Sequence, residues 1–355
     1  FSSILKPCVF TWNAIILAHT IFGEDYIALD LYIQMIDNGL KPNNATFSWV
    51  LKTCGGIGAL LLGKLLHQQV VENGSEKNVI VGNSLMDMYG KCGRLDEATH
   101  VFDELPSKTE VSWGTIISGY AQQGEGEIAL ELFVKMLLCS HHIEPNAFIY
   151  SCVLKGCSST LLIEQGRLVH TNVVFAKLDV DEVVGGSIVD MYAKCGNLED
   201  AHKVFQAFPH KNVVLWGALM TGFVDHGHAL HALSLFFEMQ EKGIKPSRAT
   251  FLCVLKACSD VGVFEIGLLL HDHVLRTYFH YELTIGTLLI EMYAKCGLSN
   301  RAKEVFDNLL VQDVVVWSTL IEGYTENEQN DKALELSEHM QYVHIPLRDT
   351  SRIHI

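Results

Sequence analysis

The hexapeptide Met-Tyr-Ala-Lys-Cys-Gly stands at 191–196 and again at 292–297, with Met-Tyr-Gly-Lys-Cys-Gly at 88–93. A cation beside a thiol lowers the thiol's pKa and makes a nucleophile or a metal ligand, so the pair is a candidate for chemistry. Three histidines recur in the same way: His67, His170 and His271, each four residues after a glycine. Nucleophilic catalysis needs a base within reach of the thiol, and a metal site needs several ligands converging. Cys92, Cys195 and Cys296 are 103 and 101 residues apart, as are Cys54, Cys157 and Cys258, and no Cys-x-x-Cys pair occurs. Cysteines so spaced do not converge. They read as small packing residues, the first three placed before the helix-ending Gly93, Gly196 and Gly297. The histidines read as packing or surface residues, and "HDH" at 271–273 and "HGH" at 226–228 lack a third ligand of clear spacing.

The elements that carry these residues are copies. Trp12, Trp113, Trp216 and Trp317 recur at intervals of 101, 103 and 101, and Phe102, Phe205 and Phe306 at 103 and 101. Three kinds of segment alternate within that period. The first covers 9–43, 110–146, 213–247 and 314–348; the second 44–78, 147–181 and 248–282; the third, shorter, 79–109, 182–212 and 283–313. Trp12, Ile15, Ile16 and His19 step at helical spacing, and Ala28, Leu31, Tyr32 and Met35 repeat the step after a turn. All seven prolines fall at segment ends, where a fixed φ and a missing N–H stop a helix. Each segment is therefore expected to be two short helices, with the four tryptophans in the core. So small a pair cannot bury its apolar face alone, which predicts an all-α solenoid, one array over 1–355. Partial repeats at 1–8 and 349–355 make a fragment of a longer array the expectation.

Composition sets bounds. The longest uncharged apolar stretch, 213–224, is short of the roughly 18–20 residues that cross a bilayer, so no membrane partner is expected. The ten cysteines are expected to be reduced. The formal charge of −15 excludes a generally basic surface, and any nucleic-acid site must be a local stripe on an acidic body.

Helix pairs ending in Gly-[Leu/Ile]-Lys-Pro-[Asn/Ser], together with "VLKxC", "MYAKCG" and "W-x-x-[IL]-[IM]" in a long, variant and short triplet, resemble the pentatricopeptide repeat family, specifically its plant PLS class. The likeness covers essentially the whole chain. It implies a right-handed superhelix that binds single-stranded RNA at roughly one base per repeat, with two or three side chains reading each base. In that family the fifth and last residues of a repeat meet the base edge and the second packs on base faces. Carried over, the stacking residues are Phe10, Ile80, Val111, Val183, Val214 and Val315. The readers include Asn13 with Asn43, which favours a pyrimidine, and Thr287 with Asp313, which favours guanine. Asn83 with Thr109 leans to a pyrimidine; Ser318, whose partner position holds Arg348, has a purine-type hydroxyl. Ser48 with Asn78 belongs to a variant repeat, as do Ser151 and Leu252, for which the family offers little precedent. Asn146, Asn212 and Ser247 hold the last position opposite Gly114, Gly186 and Gly217, which have no side chain to offer.

Lys52, Lys155 and Lys256, and Lys91, Lys194 and Lys295, recur at fixed places along the array and either meet phosphates or are solvated lysines near helix C-termini. "HYE" at 280–282 matches half of a deaminase signature, but no Cys-x-x-Cys follows, so no enzyme, cofactor, metal or small-molecule substrate is expected. The resemblance implies a mitochondrial or chloroplast protein that marks RNA sites for C-to-U editing, with editing-complex proteins or a deaminase supplied in trans. The rival expectation is a protein-interaction scaffold that has lost RNA readout, motivated by the three glycines and the acidic charge.

Overall fold

The computed structural model describes residues 8–139, 143–277, 279 and 282–342, the side chains of 341 and 342 apart. Pro7, Pro346, Arg348, His280 and Tyr281, and nearly all of the two terminal partial repeats, lie outside the described residues. Among the described residues there are twenty α-helices and no strand. The chain divides into two compact units, 1–191 and 192–355.

In the first unit the odd helices are α1 (Val9–Ile21), α3 (Asn44–Gly56), α5 (Val79–Lys91), α7 (Glu110–Gln122) and α9 (Ala147–Ser159). They alternate with α2 (Asp25–Asp37), α4 (Leu60–Glu72), α6 (Leu95–Glu104), α8 (Gly126–Cys139) and α10 (Ile163–Phe175). The division falls within α11 (Glu182–Lys194). The second unit holds α12 (Leu198–Ala207), α13 (Val213–Asp225), α14 (Ala229–Glu241), α15 (Arg248–Val261) and α16 (Phe264–Leu275). It continues with α17 (Leu283–Lys295), α18 (Ser299–Asn308), α19 (Val314–Glu326) and α20 (Asn330–Tyr342). Within each unit an odd helix packs on the odd helices of neighbouring repeats and on the even helix of its own.

The residues that mark the period touch one another. The ring of Phe102 meets Trp113 edge-on at 4.8 Å, Phe205 meets Trp216 at 4.7 Å, and Phe306 meets Trp317 at 4.9 Å. Each pair joins a short repeat to the long repeat after it, and such edge-to-face contacts add to the burial of the rings. All four tryptophans are buried.

The hexapeptide is a docking and stopping device. Its methionine fills the space beside a glycine on the preceding even helix: a Cβ on Gly166 would stand 2.5 Å from Met191 Sδ, and one on Gly267 3.1 Å from Met292 Sδ, with Gly63 and Met88 placed alike. Its tyrosine bonds the histidine one turn further along that helix. His67 Nδ1 is 2.8 Å from the Tyr89 hydroxyl, and His271 Nδ1 is 2.7 Å from that of Tyr293. The small third residue lets a glycine of the next long repeat approach, Gly119 facing Gly90, Gly222 facing Ala193 and Gly323 facing Ala294.

Its cysteine caps the helix and its glycine turns it. Cys92 is the C-cap of α5, and Gly93 follows in the left-handed region at φ 69°. The Gly93 N–H donates to Gly90 O at 3.1 Å and the Arg94 N–H to Tyr89 O at 2.8 Å, the paired bonds that satisfy the last carbonyls of a helix. Gly297 and Leu298 repeat this on Ala294 and Tyr293.

Candidate nucleic-acid interface

Thr284 apart, the second residues of the repeats are apolar, and they are exposed. Phe10, Ile80, Val111 and Val183 in the first unit and Val214 and Val315 in the second are 60% to 78% exposed. Apolar side chains left outside at one register position mark a surface with a use. Phe148, second in 147–181, is 54% exposed and belongs to the same set. Sequence reasoning passed over it, although counting the register from Phe10 reaches it.

The last residues of the repeats are helix N-caps. Asn43, Asn78, Thr109, Asn146, Asn212, Ser247 and Asp313 each accept a hydrogen bond from the first turn of the following odd helix. Asp181 does the same with Val183 and Val184, both 3.0 Å from its Oδ1, and was also passed over. Capping removes one acceptor from each side chain and so decides what is left to offer. Asn43 and Asn78 keep an amide NH₂ donor; Asp181 and Asp313 keep a carboxylate acceptor.

The fifth residues differ among themselves. Asn13 is 8% exposed; its Nδ2 donates to Asn43 Oδ1 at 3.0 Å, and its Oδ1 accepts from the Thr46 hydroxyl at 2.7 Å. Ser112, at the register of Thr46, bonds Thr109, and the Asn83 Oδ1 is buried without a partner. The hydroxyls of Ser48 and Ser151 are buried and unpartnered as well. Thr287 and Ser318 donate to the carbonyls of Leu283 and Val314, both at 2.8 Å, which leaves each oxygen as an acceptor. Leu252 offers nothing polar. A Cβ on Gly186 or Gly217 would meet nothing within 4 Å, whereas one on Gly114 would stand 3.3 Å from the ring of Phe148.

In the first unit these positions meet in one cleft of about 750 Å³. Ile80 and Val111 line it with Asn83 and Thr109, and Lys52, Asp87 and Lys91 are also in the lining. The six residues that sequence register assigns to reading, stacking and phosphate contact here come from α3 (Lys52), α5 (Ile80, Asn83 and Lys91) and the start of α7 (Thr109 and Val111).

All six recurrent lysines are exposed. Lys91 and Lys295 are bonded to the carboxylates four residues earlier, Asp87 and Glu291, each at 2.7 Å, and Lys256 Nζ is 3.5 Å from Asp225. Helical neighbours at that spacing pair readily. Lys52 lies 5.9 Å from the Trp49 ring centre, and among the described residues neither Lys52 nor Lys155 makes an ion pair. Carboxylates thus already engage Lys91, Lys256 and Lys295.

Burial pushes the thiols of Cys54 and Cys258 up to about 12 and raises those of Cys92 and Cys296, the opposite of what a nucleophile needs. None of the ten cysteines, all of them described residues, is in a disulfide. Among the described residues no group of three or more His, Cys, Asp or Glu side chains is placed to hold a metal ion, and no helix is long and apolar enough to cross a membrane.

In each unit the helix pairs repeat the same arrangement, with an exposed second residue, a fifth residue one turn on and a capping last residue at the start of the first helices, the pattern of a modular helical-repeat protein. The PPR repeat family model matches at 7–56, 108–159 and 211–260, and the PPR repeat model at 83–109, 186–213, 287–314 and 315–342. The chain belongs to the pentatricopeptide repeat family. It is 35% identical over 97% of its length to a pentatricopeptide repeat-containing protein of Arabidopsis thaliana, of which it covers 47%. It is 33% identical to a chloroplastic member from the same plant over 96% of its length and 55% of that protein, and 32% identical to a mitochondrial one over 95% and 33%. The chain thus spans about half the length, or less, of these relatives. The fold resembles that of the pentatricopeptide repeat protein PPR10, crystallised with an 18-nt psaJ RNA element, at a TM-score of 0.63 and 18% identity, covering 95% of this chain and 49% of that one.

Proposed function

We propose that the chain binds single-stranded RNA, one base per repeat, and that each base edge is read by what capping leaves free. The observation that carries this reading is the recurrence of an unpartnered buried oxygen at the fifth position, on Ser48, Asn83 and Ser151, with the exposed second residues Ile80 and Phe148 three residues before the latter two. A buried polar atom without a partner costs about 1–3 kcal/mol, and a ligand that supplies the missing bond recovers it. An unstacked base supplies both a polar edge and a face for the apolar flank.

The polarity of each pair then selects a base. Thr287 has spent its hydrogen on Leu283 and Asp313 has spent one oxygen on Val316, so the pair presents two acceptors. Guanine answers with N1–H and N2–H₂ side by side. Asn43 keeps its NH₂ and Asn13 one N–H beyond the bond to Asn43. Two donors suit N3 and O2 of cytosine. Gly186 and Gly217 have no edge contact to offer from the fifth position.

Relatives named chloroplastic and mitochondrial support an organellar site of action. In that setting the chain marks transcripts for C-to-U editing, the deaminase being provided by another part of the protein or in trans. Fluorescence anisotropy with labelled single-stranded RNAs at several salt concentrations tests the binding claim. Affinity no higher than that of an unrelated acidic helical protein removes it.

A further inference from the structure

Four exposed apolar residues stand where α1 turns into α2 and α3 into α4. Ile21 ends α1, Phe22 is its C-cap, and Tyr26 and Leu61 are the second residues of α2 and α4. They are 69%, 80%, 77% and 78% exposed. The two turns lie side by side: the Thr20 and Thr53 hydroxyls are 3.0 Å apart, and a Cβ on Gly56 would stand 3.9 Å from Asp25 Oδ2.

The other long repeats are polar at the first two of these registers, with Gln122, Asp225 and Glu326 for Ile21 and Gln123, His226 and Asn327 for Phe22. Gln123 Nε2 donates to Gly90 O at 2.9 Å and Asn327 Nδ2 to Ala294 O at 2.8 Å, a clasp on the repeat before that a phenylalanine cannot make. Tyr26 and Leu61 stand where Glu127 and Glu164 put an acid in the first turn, a favourable place for negative charge. Leu230, the one other apolar residue at that register, follows a turn of Asp225 and His226. Gln122, Glu127 and Glu164 are exposed although a repeat is stacked in front of each, so stacking does not cover these places. The first two repeats thus give up a clasp and two favourable charges for apolar surface left in water.

We propose that these two turns dock a partner protein through a basic segment carrying apolar side chains. Between Cys8 and Leu40 the chain has Glu24, Asp25, Asp30 and Asp37 and no Lys or Arg. Lys64, one turn on from Leu61, is paired with Glu97 at 3.4 Å. An apolar patch with an acidic rim is complementary to Lys or Arg interleaved with Leu or Phe. RNA phosphates and anionic lipid headgroups are repelled there, and a second copy of the chain brings its own charge of −15. None of the four residues lines the cleft of Asn83 and Thr109, so the docking does not depend on RNA reading.

The test is selection of random peptides displayed on phage against the whole chain. Counter-selection uses the variant Ile21→Gln, Phe22→Gln, Tyr26→Glu, Leu61→Glu, which places at each site the residue of another repeat and is expected to melt with wild type by circular dichroism. Recovered peptides, made with a fluorophore, are expected to be net positive with interspersed apolar residues. They are expected to bind the variant about tenfold more weakly and to lose affinity as salt rises. If the four-site variant melts lower, Tyr26→Glu alone is expected to give part of that loss at an unchanged melt. Neutral or acidic peptides, or none that separates the two proteins, overturn the proposal. Phosphatidylglycerol vesicles that bind wild type and not the variant, or wild-type dimers in sedimentation equilibrium that the variant lacks, overturn it in favour of a membrane or a second copy.

Discussion

His67 Nδ1 and the Tyr89 hydroxyl stand 2.8 Å apart, joining α4 of one repeat to α5 of the next. Burial holds the His67 imidazole below its ordinary value of 6.5, so the neutral ring is the folded form. Because the folded value is the lower one, the unfolded chain takes up the proton first as pH falls. Stability is fully present above about 6.5 and is lost as pH drops through the folded value. His67→Gln is expected to flatten the acid limb of a urea-denaturation profile measured against pH; an unchanged limb would place the sensitivity elsewhere.

Gly63→Ala places a Cβ against the sulfur of Met88, whereas Gly267→Ala meets Met292 at 3.1 Å, where a small shift suffices. The first substitution is expected to destabilise by about 1–3 kcal/mol and the second by less. Equal losses in chemical denaturation would mean that the methionine adjusts freely in both places.

Much of this was legible in the sequence because helical spacing and a fixed period are properties of single letters and their distances. Phe102 and Trp113 advertised the repeat by recurring. What could not be seen is what the recurring residues do to each other. The Asn or Asp that precedes an apolar helix is an N-cap signature, yet Asn43 and Asp313 were weighed only as readers, so the acceptor each gives up went uncounted. The pairing of Lys91 with Asp87 follows from i, i+4 spacing and was likewise available. The ring of Phe148 over Gly114 was not: residues 34 apart in the chain meet there only through the packing of α7 on α9.

Gly217 faces open space, so Gly217→Asn introduces a reader without a clash. Stability is expected to hold or rise by a few tenths of a kcal/mol, as asparagine is the better helix former. In selection from randomised RNA one column should become selective. A selective column that appears equally with Gly217→Ala would show that the amide is not the cause.

Asp87 holds the ammonium of Lys91 at 2.7 Å within the cleft. Asp87→Asn is expected to free the lysine for phosphate, tightening RNA binding and steepening the log–log salt dependence by about 0.7. An unchanged slope would remove Lys91 from the phosphate path.

Base selection by the repeat 283–313 depends on Asp313. Selection from a randomised single-stranded RNA pool, run in parallel on wild type and Asp313→Asn, is the decisive measurement. The asparagine keeps the cap through its oxygen and turns an NH₂ donor outward, beside the acceptor of Thr287. One column is predicted to change from guanine to adenine, whose N6–H₂ and N1 match that pair, with the others unchanged. Failure to retain RNA, or a column that stays guanine, contradicts the account.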